Sequence, residues 1–316
     1  MQIIETQHLT KAFGNVTAID NLTFSVEEGE IFGLVGPDGA GKTTLTRMLT
    51  GILSPSAGEA WVAGYNIAKD AEAIKEKIGY MSQKFGLYED LTVLENIAFF
   101  ADIYGVRGKN RKDKIEELLH FSQLQEFHDR LAGNLSGGMK QKLALSCALI
   151  HTPKILFLDE PTNGVDPVSR RDFWRILYHL HREEVTIFLT TAYLEEAERC
   201  GHVAFAHKGK FLIEGTPKEV KQHLIGKVLE ISCAKPRRAM LALQNTLGND
   251  CVKLFGNRIH VYLYTEQPKI LVAKVEQILD SNEIREHHII LAEPTLEDVF
   301  MSLMRESEEE AADAVH

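Results

Sequence analysis

Paired cysteines, long apolar runs and an excess of positive charge are all missing from this chain. The four cysteines, Cys147, Cys200, Cys233 and Cys251, lie far apart and form no CxxC-type pair, which argues against a cysteine-ligated metal module and predicts buried free thiols. No apolar run reaches the ~18 residues that a membrane-crossing helix needs. The opening residues, MQIIETQHLT, hold no basic segment followed by an apolar stretch and a cleavage site, so the chain is expected in the cytosol unless a partner holds it at a membrane. Lys and Arg number 35 against 45 Asp and Glu, a formal net charge of −10. That balance disfavours wrapping a nucleic-acid backbone.

What is present is enough apolar material for a full core: 316 residues at 44% hydrophobic, sufficient for two domains or one large domain with an appendage. Over residues 1–223, β-rich runs (EIFGLVG, KILFLDE, VTIFLTT, HVAFAHKGKFLI) alternate with longer helical stretches, predicting a mixed α/β sheet largely covered by helices. Between about 87 and 150 the strands disappear, and Ile115, Leu118 and Leu119 recur at helical spacing, which predicts an inserted helical subdomain. Over 224–304, strand patterns at KVLEISC, VKLFG, RIHVYLY and HHIILA enclose helical patterns at PRRAMLALQNTL and PKILVAKVEQIL. Their order, β-α-β-β-α-β, predicts a small ferredoxin-like α+β domain. Residues 305–316, RESEEEAADAVH, read as a solvated acidic tail.

GPDGAGKT, Gly36 to Thr43, satisfies G-x-x-x-x-G-K-[ST], with a strand pattern before it and a helical one after it. Such a loop turns backbone N–H groups toward phosphate oxygens. The candidates for ATP are Gly36, Pro37, Asp38, Gly39, Ala40, Gly41, Lys42, Thr43 and Thr44. Lys42 would supply positive charge to the terminal phosphates and Thr43 a hydroxyl to Mg²⁺. Asp38 is out of place beside phosphates, and its side chain is expected to face away or cap the loop. KILFLDE ends an apolar strand in two carboxylates: Asp159 is placed to hold Mg²⁺ and Glu160 to orient or deprotonate a water.

LSGGMKQK, residues 135–142, makes the chain resemble the ATP-binding cassette proteins. The resemblance covers nearly all of residues 1–223 and implies a P-loop cassette with a helical subdomain, working with ATP and Mg²⁺. It implies that Ser136, Gly137, Gly138 and Gln141 meet a nucleotide on a facing cassette. Phe13 sits where that family stacks an aromatic on adenine, although a lone Phe near a strand is more often core. Gln83 resembles the loop glutamine that touches Mg²⁺ and water and links to the membrane subunit. Asp166 in PTNGVDP lies where a loop approaches the opposite subunit. EPTLEDVFMSLM resembles the carboxyl-terminal motif of cassettes in exporters with separate membrane subunits.

At Ala192, within LTTAYLEEAE, the family places a histidine that contacts the γ-phosphate. Alanine has no group that donates, accepts or titrates, so ATP binding is expected to survive while hydrolysis at this chain's own P-loop is impaired. The expectation is an ATPase subunit of an exporter, held at the inner face of the plasma membrane by permease subunits. It pairs head to tail with a second cassette chain, a heterodimer rather than a homodimer. A non-hydrolysing regulatory half is the main alternative. A soluble cassette protein acting on nucleic acid or ribosomes is disfavoured by the acidic balance, the single cassette and the lack of long coiled-coil arms.

Overall fold

The computed structural model describes residues 1–84, 86–223, 227–248, 251–263, 268–284 and 286–313. The chain divides into two units, Met1–Pro217 and Lys218–His316. The boundary expected after residue 223 adjoins 224–226, and the expected tail ends in 314–316; these, like Phe85 of the loop after Gln83, lie outside the described residues.

In the first unit, Ile31–Val35, Ile155–Asp159 and Thr186–Thr191 are buried at every position, the pattern of a sheet covered on both faces. They lie in a 6-stranded sheet ordered Lys210–Gly215, His202–His207, Ile31–Val35, Thr186–Thr191, Ile155–Asp159, Ile78–Met81. Neighbours are parallel except for Lys210–Gly215, which turns back on His202–His207. Phe32, Phe188 and Phe157, from three adjacent strands, pack ring to ring at 5.3 and 5.4 Å, each burial stabilising the fold by about 1.5–3 kcal/mol. This order brings the carboxyl ends of Ile31–Val35, Thr186–Thr191 and Ile155–Asp159 side by side, and ligands of open parallel sheets bind beyond such ends.

A second, antiparallel sheet gives a weak sequence signal. Gln2–Phe13 pairs with Val16–Leu22, Ser25–Glu27 and Ala57–Val62. Its first strand buries Ile3, Ile4, Thr6 and Leu9 but exposes Gln7 and His8, so neither alternation nor a continuous apolar run stands out. Helices Val93–Ile103, Gly108–Ser122 and Gly137–Leu149 follow the strand Ile78–Met81. The first starts in a reciprocal cap, with Thr92 Oγ1 accepting from Glu95 N at 3.1 Å and Glu95 Oε2 accepting from Thr92 N at 2.8 Å. In the second, Ile115, Leu118 and Leu119 form the buried stripe.

The second unit runs Lys227–Cys233, Pro236–Leu247, Val252–Phe255, Arg258–Leu263, Pro268–Ser281 and His287–Ala292, in the order β-α-β-β-α-β. Its 4-stranded antiparallel sheet takes the ferredoxin-like spatial order second, third, first, fourth. Leu229, Ile231, Leu243, Val261, Val275 and Leu279 give it a core of its own. A further helix, Leu296–Asp313, extends through the stretch read as a tail. EPTLED fixes its start: Asp298 Oδ2 accepts from Thr295 N and Thr295 Oγ1, both at 2.7 Å. Asp298 Oδ1 accepts from Tyr262 Oη at 2.8 Å and meets His260 Nδ1 at 3.0 Å. The motif is thus a buried carboxylate that pins a helix start to a sheet.

The thiol expectation needs a correction. Cys147 and Cys200 are buried, and burial pushes both thiols well up. Cys233 and Cys251 are only half-buried, because they stand at strand ends of the small sheet.

Candidate nucleotide-binding and hydrolytic site

The phosphate loop leaves the end of Ile31–Val35 and enters the helix Lys42–Leu49. The entry depends on Gly41: its φ is +103°, and a Cβ there would lie 2.5 Å from the Ala18 carbonyl oxygen. No side chain caps this helix, so its first N–H groups point at whatever anion the loop holds. Asp38 is exposed. Lys42 is 4% exposed. Its Nζ donates to the Gly36 and Pro37 carbonyls at 2.8 and 3.0 Å and lies 3.0 Å from Glu160 Oε1.

Asp159 ends the strand two places away in the sheet. Its Oδ1 accepts from Thr43 Oγ1 at 3.1 Å and from Thr190 Oγ1 at 2.8 Å. Burial pushes the Asp159 carboxyl above the usual range, with the Thr190 and Thr43 hydroxyls pulling it back. Its buried Oδ2 has no hydrogen-bond partner among the described residues. A hydroxyl beside an unsatisfied carboxylate oxygen suits a hard cation such as Mg²⁺. No group of three or more His, Cys, Asp or Glu among the described residues is placed to hold a metal ion.

Glu160 takes a left-handed φ of +49°, a conformation that a non-glycine residue keeps only when its surroundings hold it there. Those surroundings are visible. Its N–H donates to Thr190 O at 3.1 Å and to Thr190 Oγ1 at 2.9 Å. Its Oε2 accepts from Gln83 Nε2 at 2.9 Å and from Asn163 Nδ2 at 3.3 Å. Lys42, Thr43, Gln83, Asp159 and Glu160 therefore converge at three strand ends, although they span residues 42 to 160. Ala192 is exposed immediately after Thr191, and Thr191 O accepts from Gly36 N at 3.2 Å, so the position without a histidine borders the phosphate loop.

The remaining candidates form other surfaces. Phe13 is 49% exposed with Lys11 Nζ 5.1 Å from its ring centre, which rules out core packing. Ser136 and Gly137 are exposed, and Ser136 Oγ accepts from Met139 N at 3.3 Å as the cap of Gly137–Leu149. Asp166 is likewise a cap: its Oδ1 accepts from Val168 N and Ser169 N at 3.0 Å. Bonding from Ser169 and Val168 holds its carboxyl below the usual range.

Gln141 departs from expectation. It is completely buried and its amide donates to the Pro161 carbonyl, so it braces this chain's own loop after Glu160 and presents nothing to a facing nucleotide. The cause is helix phase, since position 141 shares the buried face with Gly138 and Leu145. Gly138 faces inward too, where a Cβ would lie 2.5 Å from Ser169 Oγ and 2.6 Å from Ser169 Cβ. Gly138→Ala gains helix propensity of about 1 kcal/mol at most, against an overpacking cost of about 1–3 kcal/mol. Contacts this short select the upper end of that cost, so a lowered melting temperature is expected, recovered by adding Ser169→Gly.

Sequence reasoning missed Thr190, Asn163, Thr162 and Glu196. Thr190 serves both carboxylates, and Glu196 accepts from Thr162 Oγ1 and Thr191 Oγ1. Thr190 reaches the site through strand adjacency to Asp159, Thr162 and Asn163 through the turn after Glu160 within PTNGVDP, and Glu196 from the short helix that follows Thr191.

The model of the ABC transporter family matches residues 19–163. The chain is 41% identical over 307 residues to Escherichia coli "Probable multidrug ABC transporter ATP-binding protein YbhF", covering 96% of this chain and 52% of that one. It thus spans about half the length of that relative. It is 35% identical to the bacitracin transport ATP-binding protein BcrA of Bacillus licheniformis, over 96% of this chain and 97% of the relative. It is also 35% identical to the Nod factor export ATP-binding protein I of Rhizobium sp. (strain N33), over 95% and 96%. A solved ATP-binding subunit of an ABC transporter superposes at TM-score 0.64 with 28% identity, covering 70% of this chain and 92% of that one. A dimeric ATP-binding cassette bound to ADP and Pi in a post-hydrolysis state gives 0.62 with 25% identity, over 67% and 98%. With its phosphate loop, paired carboxylates and signature helix start in the same chain, this protein belongs to the ATP-binding subunits of ABC transporters.

Proposed function

We propose that this chain binds ATP with Mg²⁺ and drives export through separate membrane-spanning permease subunits, in a head-to-tail pair with a second cassette. The convergence of Lys42, Thr43, Gln83, Asp159 and Glu160 at adjoining strand ends is the observation that carries the ATP reading. Relatives named for multidrug, bacitracin and Nod factor transport support an exporter, and in this reading the permeases recognise the cargo. No helix among the described residues is long and apolar enough to cross a membrane.

In this reading Lys42 and the open N–H groups of its helix bind the phosphates. Thr43, Gln83 and Asp159 would hold Mg²⁺, which when bound supplies charge neutralisation at the terminal phosphates. Glu160, braced by Gln83 and Asn163, orients water and accepts its proton. Phe13 stacks on the base. The exposed Ser136 and Gly137 face the partner's nucleotide, with Gly138 behind them on the buried side of the helix start, and Asp166 caps the loop that approaches it.

Ala192 makes the two composite sites unequal. This chain offers an intact signature but a phosphate loop without its histidine, so the partner's P-loop against Ser136–Gly138 forms the main hydrolytic site. The site at Lys42 mainly holds ATP and clamps the pair. The test is ATP turnover by the chain alone, with its partner, and with Ala192→His. A charge-assisted contact worth about 1.5–3 kcal/mol predicts a gain of at least about tenfold from Ala192→His. Vigorous turnover by the unmodified chain alone, indifferent to changes at Ser136, would eliminate the asymmetric scheme.

A further inference from the structure

Four residues past Ala192, Glu196 is a carboxylate buried to 1% exposure. Its two oxygens serve two different loops. Oε1 accepts from Thr162 Oγ1 at 2.6 Å, on the loop that begins with Glu160. Oε2 accepts from Thr191 Oγ1 at 2.8 Å, at the end of the strand that delivers residue 192. Thr191 Oγ1 in turn accepts from Tyr193 N at 2.9 Å, so the backbone on both sides of Ala192 is tied to the same carboxylate. Arg170 Nε lies 3.8 Å from Glu196 Oε1, and the Arg170 guanidinium sits 4.1 Å over the Tyr193 ring. Gln141 holds the other side of the loop through Pro161 O.

A buried charge costs stability unless it is paired and fully hydrogen-bonded, and an apolar side chain could fill the same space. What an apolar side chain cannot do is fix the separation of two hydroxyl-bearing loops. We infer that Glu196 is a positioning residue for hydrolysis: it sets the Glu160 loop and residue 192 in one geometry, through Thr162 and Thr191. This rests on the roles proposed above for Glu160 and position 192. A glutamine keeps one acceptor oxygen and so reproduces the clamp only in part.

The experiment uses the full chain, native and with Ala192→His, and measures kcat and ATP affinity separately together with amide hydrogen exchange. Glu196→Ala is expected to lower kcat about tenfold to a hundredfold with ATP affinity close to unchanged, and Glu196→Gln to fall in between. Exchange should quicken over 160–166 and 191–197 together while the helix Lys42–Leu49 keeps its protection. Thr162→Val and Thr191→Val should each lower kcat, with no added loss once Glu196 is gone. Unchanged kcat with unchanged exchange overturns the assignment, and so does loosening of only one of the two segments. Should Glu196→Ala fail to fold, the two Thr→Val variants decide it: lower kcat at constant affinity supports the clamp, and unchanged kcat removes it. Failure of the asymmetric scheme reads out separately, as a native chain that already turns over as fast as the one with Ala192→His; the same comparisons are then made in the native chain.

Discussion

Lys42→Ala abolishes ATP binding. The loss of bonds between an ammonium and phosphate oxygens alone removes about 1.5–3 kcal/mol per charge-assisted contact, and Lys42 is the cation set within the loop's curl. The same substitution reaches beyond the nucleotide, because Glu160 Oε1 lies 3.0 Å from Lys42 Nζ with both side chains nearly buried. Removing one member of such a pair strands the other. The single variant should therefore melt lower than the double variant Lys42→Ala, Glu160→Gln, a non-additive cycle that calorimetry reads directly. Tight ATP binding by Lys42→Ala would overturn the phosphate-loop assignment.

Glu160→Gln retains ATP and loses turnover, and the size of the loss depends on which site it is measured at. In the Ala192→His chain, where the site at Lys42 has all its groups, a fall of about a hundred- to ten-thousand-fold is expected for loss of a general base. The amide oxygen then serves either Lys42 or the Gln83 and Asn163 amides, which now share a carboxylate. In the native chain assembled with its partner, the asymmetric scheme proposed above predicts a far smaller change in rate. Equal losses in the two settings would mean that Ala192 does not weaken this site.

The linear motifs were legible because each packs its chemistry into consecutive residues. GPDGAGKT could be read from its spacing between a strand and a helix pattern, the Asp159–Glu160 pair only in company with that loop, and Ser136 through the family resemblance of LSGGMKQK; the β-α-β-β-α-β unit could be read from its alternation of short apolar runs and amphipathic helices. What stayed hidden depends on which strands become neighbours. Thr190 carries no local mark, yet Thr190 Oγ1 binds Asp159 Oδ1 and accepts from Glu160 N because Thr186–Thr191 lies beside Ile155–Asp159. Gln141 misled for a related reason: family position pointed outward, while helix phase turned it toward Pro161. The amino-terminal sheet escaped notice because its strands interleave Glu, Gln, His and Thr with their few buried apolar residues.

The sheet order has a bearing on how this chain is made. The strand that ends in the phosphate loop finds its neighbours late: Ile31 pairs with Ile187, and Phe32 with His202. During synthesis at about 5–20 residues per second, its ladder groups stay without their native partners for on the order of ten seconds. Parallel pairing across so long a stretch closes slowly, because loop entropy is lost before the contacts repay it. IFGLV, buried at every position once folded, spends that interval as an unpaired apolar strand. A nascent chain stalled before residue 186 would therefore carry the whole phosphate-loop sequence without either strand that flanks Ile31–Val35 in the sheet, the kind of exposed apolar strand a chaperone takes up.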